Sequence, residues 1–291
     1  MLDYETLKRF KSDIICCSIS GFGKTAPNPD RPSFDLTLQA LSGTMSITGE
    51  PGRPPVRMGV PLGDIAGGMY AAYAVAAALY HRSVTGEGQE IDIGLLDCQI
   101  ALLSYVGQLY LINGQVPQQL GSGHQIVVPY QAIKAGDGYV VVAAYEEKFF
   151  GGICKAIGRE ELIDDPRFKT NTNRRKNKET LIAILEAEFQ KWTAESLLRR
   201  LEENDVPCAP VNRLDKALSQ PNVMARNMVV EINHPTCGTY KAIGNPIKLS
   251  SVKEEKFAPS PLLGQHTEEI LSELLGYSAE TIAQLREEKL I

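Results

Sequence analysis

The run Asp13-Ile14-Ile15-Cys16-Cys17-Ser18-Ile19 constrains the fold more than any other stretch of this chain. It is apolar without alternation, which predicts a strand buried on both faces, and such strands belong to parallel sheets sandwiched between helices. The segments after it agree. A Gly/Pro/Asn-rich loop at 20–32 leads into a predicted helix at 35–41, and an Ala-rich apolar segment predicts a long helix over 65–82. Thr85-Gly86-Glu87-Gly88 turns the chain into a second predicted strand at 89–94, and Asp97 is placed to cap a helix running to about Leu111. Residues 3–10 read as a helix end.

From about 118 the texture changes. Lys134-Ala135-Gly136-Asp137-Gly138 is a turn between two predicted strands, 128–133 and 139–144, and so predicts a hairpin. Three amphipathic helices are predicted near 146–157, 178–191 and 193–203, and a loop from Asn204 leads into an extended stretch ending at Val211. In the tail, Pro259, Pro261 and Gly264 mark a loop, Thr267 is placed to cap a helix to Leu275, and a last helix is predicted from Ala279. The fold class is therefore α/β. The expected organisation is a large domain begun by 1–117, a smaller inserted α/β domain at 118–232, and a return to the large domain at 233–291.

Composition narrows the function. The 291 residues carry a net charge of −5, which argues against a general nucleic-acid surface. The one basic run, Arg174-Arg175-Lys176 with Lys178, reads as a solvated loop, although a local basic pocket could still take an anionic ligand. Cysteines at 16, 17, 98, 154, 208 and 237 show neither CxxC nor Cys/His ligand spacing. They read as reduced thiols of a cytoplasmic protein, and no metal site is expected. No signal peptide is expected ahead of the charged segment at 3–8, and the apolar stretch 65–80 is short for a membrane span.

Gly21-Phe22-Gly23-Lys24-Thr25 ends like a phosphate-binding P-loop. That motif requires glycine where this chain has Ser18, and a helix after the Lys-Thr, which Pro27 and Pro29 forbid. The loop nevertheless sits at the C-terminal end of a parallel-type strand, where open α/β sheets bind ligands. It is either a ligand loop acting through backbone N–H groups or a plain connection. Asp64 stands directly before the Ala-rich helix, with Gly63 ahead of it and Gly67-Gly68 just beyond. It reads as an N-cap, and that is compatible with chemistry: the helix N-terminus holds a carboxylate ionised, and small neighbours admit a bulky reactant. A carboxylate is a poor nucleophile in water and needs positioning and loss of hydration. Of the histidines, His81, His234 and His266 read as local capping or surface groups. His124 follows Gly121-Ser122-Gly123, a segment able to fold over a ligand.

Together, Ser18-Ile19-Ser20-Gly21-Phe22-Gly23, Phe34-Asp35, Gln39-Ala40-Leu41-Ser42-Gly43, Thr48-Gly49, Gly63-Asp64, Thr85-Gly86-Glu87-Gly88-Gln89 and Leu262-Leu263-Gly264-Gln265-His266-Thr267 resemble the family III CoA transferases. Each motif is weak alone; in order along the whole chain they are specific. The resemblance implies that Asp64 attacks an acyl-CoA thioester and carries first the acyl group, as a mixed anhydride, and then CoA, as a thioester. It implies CoA binding along Ser20, Gly21, Phe22 and Gly23, although some members carry Lys where this chain has Ser20. It implies a water-excluding loop, here Gly121, Gly123, His124 and Gln125. It further implies a coenzyme A thioester as substrate with no tightly bound cofactor, a carboxylic acid acceptor, a homodimer of interlocked chains, and neither nucleic acid nor membrane as partner. Val127-Val128-Pro129-Tyr130-Gln131 is similar to the dicarboxylate-using type and points to a succinyl-like donor.

Racemases of the same fold carry a His-Asp pair where this chain reads Phe34-Asp35, which favours transfer over racemisation. Family members also have roughly a hundred residues ahead of the point where this chain starts. Without that N-terminal segment the Rossmann-like sheet is incomplete, and its open apolar edge needs cover. The alternative is therefore a non-catalytic fragment or subunit that pairs with a chain supplying the missing strands.

Overall fold

The computed structural model describes residues 3–252 and 256–291. They form two compact units, Met1–Val211 and Asn212–Ile291.

In the first unit a short helix α1 (Tyr4–Phe10), capped by the Asp3 side chain, precedes strand β1 (Cys16–Ser20). Then come α2 (Asp35–Leu41), α3 (Thr44–Ile47), the long α4 (Leu62–Thr85) and β2 (Glu90–Gly94). β1 and β2 pair in parallel from Cys16↔Glu90 to Ser20↔Gly94, so the predicted α/β crossover is present. Burial of β1 is not as expected: Cys17 is exposed and Ile19 is 51% exposed. Burying both faces of a strand takes a layer on each side, and among the described residues β2 is its one partner.

Helix α4 packs one face inward through Gly63, Ala66, Gly67, Ala71 and Ala78, small residues that allow close approach. Its other face is open and apolar, with Tyr73, Tyr80 and Val84 largely exposed. At 24 residues it is long and apolar enough to cross a membrane by length and composition, contrary to the expectation from 65–80 alone, and 28% of its apolar window is buried. It also carries Asp64 in its first turn and Arg82 in its last, and Arg82 Nη1 donates to the Asp13 carbonyl at 3.3 Å. We read it as a sheet-covering helix with one face uncovered by the described residues.

The helix expected from Asp97 to Leu111 is two: α5 (Leu95–Leu102) and α6 (Ser104–Asn113), meeting at 77°. Ser104 takes φ of 49°, a left-handed backbone that breaks the helix. Asp97 is not its cap; Gly94 is, and Asp97 is the third helical residue.

The predicted hairpin is present as β3 (Tyr130–Lys134) and β4 (Tyr139–Ala143), antiparallel, with β5 (Cys208–Pro210) added beside β4. Helices α7 (Glu147–Ala156), α8 (Glu161–Asp164), α9 (Asn171–Lys176), α10 (Lys178–Phe189) and α11 (Ala194–Glu202) complete this part. Its core holds Ile133, Val140, Val142, Phe150, Ile153, Phe168, Leu185 and Leu201. The basic run is helical rather than a loop; Arg175 and Lys176 are solvated as expected, but Arg174 is not. Arg174, in α9, is 1% exposed and stacks over Phe150. It reaches Glu147 and the carbonyls of Val128 and Phe168, each within 2.9 Å.

The second unit contains α12 (Leu214–Leu218), α13 (Pro221–Ala225) and an antiparallel hairpin of β6 (Val229–His234) and β7 (Gly238–Ile243). Its last helices are α14 (Thr267–Glu269), which runs into a wider turn at Ile270–Leu274, and α15 (Ala279–Glu287). Thr267 opens its helix rather than capping it; His266 is the cap residue.

Candidate active site

Asp64 is the third residue of α4, with Pro61 as the cap. The N-cap reading is thus replaced by a first-turn position, where the unpaired N–H groups of the helix start still favour a negative charge. The carboxylate is exposed and takes no hydrogen bond or ion pair from another described residue. An unengaged carboxylate is free to attack, but an exposed one is also open to water. The dry pocket expected around it is not formed by the described residues, which leave Asp64 exposed.

Around Gly63, the residue before Asp64, gathers a ring-like set of buried and half-buried polar side chains. The Gly63 amide donates to Asp35 Oδ1 at 2.8 Å, and Asp35 Oδ2 accepts from Gln39 Nε2 at 2.6 Å. Gln39 Oε1 in turn accepts the Met58 amide at 2.9 Å. From α5, Gln99 presents its side-chain amide to Gly63, and its Oε1 accepts from Ser42 Oγ at 3.0 Å. Gln39, Ser42, Thr44 and Gln99 are all buried. The sequence reading missed Asp35, Gln39 and Gln99 as supports of the site. The i,i+4 spacing of Asp35 and Gln39 on a predicted helix was the available signal.

Helix α5 connects this ring to the Ser20–Gly23 loop. The Leu96 amide donates to the Gly21 carbonyl at 3.0 Å, while Leu95 packs against Gly67 and Gln99 against Gly63. Within the loop, the Gly23 amide is taken by Ser20 Oγ and the Lys24 amide by Asp92 Oδ2. Lys24 Nζ is paired with Glu90, and that hydrogen bond holds its pKa above the usual lysine value. With Asp92 and Asp97 both beside Gly23, an anion is disfavoured at that glycine. A neighbouring cleft of about 370 Å³ is lined by Phe22, Thr25, Asn28, Arg31, Leu96 and Asp97, so it sets one cation, Arg31, against the same Asp97. Arg31 stands 5.7 Å over the Phe22 ring.

The segment around Gly121 is tied down. The Gly121 amide donates to the Gly49 carbonyl at 2.9 Å, and Gln119 Nε2 donates to Thr48. His124 lies between Tyr105 and Tyr130, with ring centroids at 5.5 and 5.0 Å. Its Nδ1 accepts the amides of Ile126 and Val127, so the proton sits on Nε2, which donates to the Tyr105 oxygen at 3.1 Å. Burial lowers its pKa below the usual histidine value. Gln125 lines a separate cleft of about 470 Å³ against α6 together with Arg175. The other histidines make local contacts: His81 with Thr85, His234 with the Thr236 and Cys237 amides, and His266 with Glu269. Among the described residues no group of three or more His, Cys, Asp or Glu side chains is assembled to hold a metal.

The description "CoA-transferase family III" matches residues 1–267 of the chain. The chain belongs to that family. Among relatives of this family III chain, a succinyl-CoA:glutarate CoA-transferase of Homo sapiens is 39% identical over 284 residues, covering 98% of the chain and 65% of the human protein. A succinate–glutarate CoA-transferase of Agrobacterium fabrum is 37% identical, covering 94% of the chain and 68% of its own length. A crystal structure of a CAIB/BAIF family protein from Brucella suis matches with a TM-score of 0.81 at 36% identity, over 94% of this chain and 71% of that one. The family III chain thus spans about 65% of the length of the human relative it matches.

Proposed function

We propose that this family III chain serves the transfer of coenzyme A from an acyl-CoA donor to a free carboxylic acid, with Asp64 as the covalent carrier. The observation that carries this reading is the unengaged Asp64 carboxylate in the first turn of a 24-residue helix. Gly68, four residues further along the helix, has open space where its Cβ would be and leaves room on that side, whereas Gly63 and Gly67 are packed by Gln99 and Leu95. The names of the human and Agrobacterium relatives support short dicarboxylates, of the succinate and glutarate size, as acyl groups.

In the proposed sequence an Asp64 oxygen attacks the thioester carbonyl, the C–S bond breaks, and CoA leaves as the thiolate with the bonding pair. The thiolate then attacks the Asp64 carbonyl carbon of the mixed anhydride, releasing the donor carboxylate and leaving an aspartyl-CoA thioester. The acceptor carboxylate reverses both steps. Each step exchanges one acyl oxygen or sulfur bond for another, so no net proton or phosphoryl donor is consumed, in keeping with a loop that fails as a P-loop. The anhydride must be kept from water. Since the described residues leave Asp64 exposed, its cover comes from other residues, and a second copy of the chain in a homodimer is our proposal for them. CoA is proposed to run along Ser20–Gly23 on the Phe22 side, with Arg31 as its cation. Six unpaired cysteines support a reducing, cytoplasmic setting.

The test uses succinyl-CoA and glutarate, with glutaryl-CoA measured by chromatography and hydroxylamine added to trap the acyl-enzyme. A hydroxamate on the Asp64 peptide is expected, and Asp64→Ala should lower turnover by roughly 10⁴-fold. Turnover that survives with an unmodified Asp64 peptide discards the mechanism.

A further inference from the structure

We infer that Asp35 is a positioning residue for Asp64, acting through the Gly63 amide; this rests on the reading of Asp64 as the carrier. Gly63 is the second residue of α4 and Asp64 the third, so fixing the Leu62–Gly63 peptide, whose N–H Gly63 carries, sets the backbone one residue ahead of the Asp64 side chain. The Gly63 N–H is one of the donors that a helix start leaves without an internal partner. Asp35, 28 residues earlier on a different helix, accepts it at 2.8 Å.

A side chain at 63 would force its neighbours to shift. A Cβ there would lie 2.2 Å from Gln99 Nε2 and 3.1 Å from Asp35 Oδ1. Glycine also gives the backbone most freedom just where the carrier needs least, and the hydrogen bond from outside the helix removes that freedom. Asp35 is itself restrained, since Gln39 holds its second oxygen and is anchored in turn to the Met58 amide. Three hydrogen bonds therefore run from the loop before α4, through α2, to the residue adjoining Asp64. Asp35 reaches the helix backbone rather than the Asp64 carboxylate, so its effect falls on the orientation of the nucleophile. A misplacement of about 1 Å in such a group costs on the order of 10²-fold in rate.

The test compares Asp35→Ala, Asp35→Asn and Asp64→Ala in the full-length protein with succinyl-CoA and glutarate, with Leu185→Ala as a destabilised control in the distant core. Asp35→Ala should lower kcat on the order of 10²-fold with KM for both substrates held within about threefold. Asp35→Asn keeps an oxygen for the Gly63 N–H and should recover most of that loss. Leu185→Ala should lose thermal stability while retaining kcat. Amide hydrogen exchange at Gly63 should quicken in Asp35→Ala and not in Leu185→Ala, a readout independent of turnover.

Unchanged Gly63 protection in Asp35→Ala overturns the inference whatever the reaction. So does an undiminished kcat in that variant, or an Asn variant as poor as the Ala one. If instead Asp64→Ala still turns over, it is the carrier reading that fails.

Discussion

The side-chain amide of Gln99 occupies the space where a side chain on Gly63 would begin: an ideal Cβ there lies 2.2 Å from Gln99 Nε2. Gln99 is wholly buried and its Oε1 accepts from Ser42, so moving it aside costs that bond and the packing around it. Gly63→Ala should therefore cost about 1–3 kcal/mol of stability and displace the start of α4, with turnover falling alongside. Gly68, on the same helix, has open space where its Cβ would be. Gly68→Ala should raise stability by up to about 1 kcal/mol through helix propensity. Chemical denaturation of the two variants checks both signs.

Arg174 predicts a large effect away from the site. Its guanidinium is buried over Phe150 and bonded to two carbonyls and Glu147. Arg174→Met fills much of the volume but leaves the carbonyls of Val128 and Phe168 without their donor. A loss of about 3–5 kcal/mol in urea denaturation is expected, as for breaking a buried charged network. The hydrogen bond from Arg174 also holds the Glu147 carboxyl below the usual range. Its contribution is present above the ordinary glutamate pKa and is lost as pH falls through the lower folded value.

His124 should make stability depend on pH near neutrality. Burial lowers its folded pKa, so between the ordinary histidine value and that lower value the unfolded chain binds more protons. Stability from this residue is thus complete above about pH 6.5 and declines as pH falls toward the folded value. Denaturation midpoints at pH 7.5 and 5.5 should differ by less in His124→Gln than in the parent protein. An unaltered difference would show that the ring between Tyr105 and Tyr130 is not neutral in the fold.

The cysteines should react in order of exposure. Cys17 and Cys237 are exposed, whereas Cys98 and Cys154 are buried, and burial pushes the Cys154 thiol up to about 12. Thiol-specific labelling of native protein, followed by peptide mass mapping, should mark Cys17 and Cys237 within minutes and leave Cys154 unmarked until denaturant is added. Early labelling at Cys154 would contradict the packing of α7.

Periodicity and turn chemistry were readable wherever local energetics decide. The hairpin around Asp137-Gly138, the helix at 35–41 and the amphipathic helices near 146–157, 178–191 and 193–203 lie within a few residues of their predicted places. The β6–β7 hairpin went unread: β6 alternates, with Val230 and Ile232 buried, but β7 is almost wholly exposed and shows no apolar face to pair with it. Arg174 misled because a basic run looks solvated, and only the fold shows a planar cation stacked over an aromatic ring.

By itself the sequence determined the parallel β–α–β element, the glycine-lined start of a long helix and Asp64 at that start, because hydrophobic period, glycine sterics and helix-end electrostatics act over a few residues. Tertiary structure alone decided that Asp64 sits in the first turn with Pro61 as cap, that Gly63 is fastened to Asp35 and crowded by Gln99, and that β1 and α4 each keep an open face. Those features join residues 28 or 36 positions apart, counted from Gly63 to Asp35 and to Gln99. Contacts at that separation depend on how whole elements pack, which no local pattern encodes.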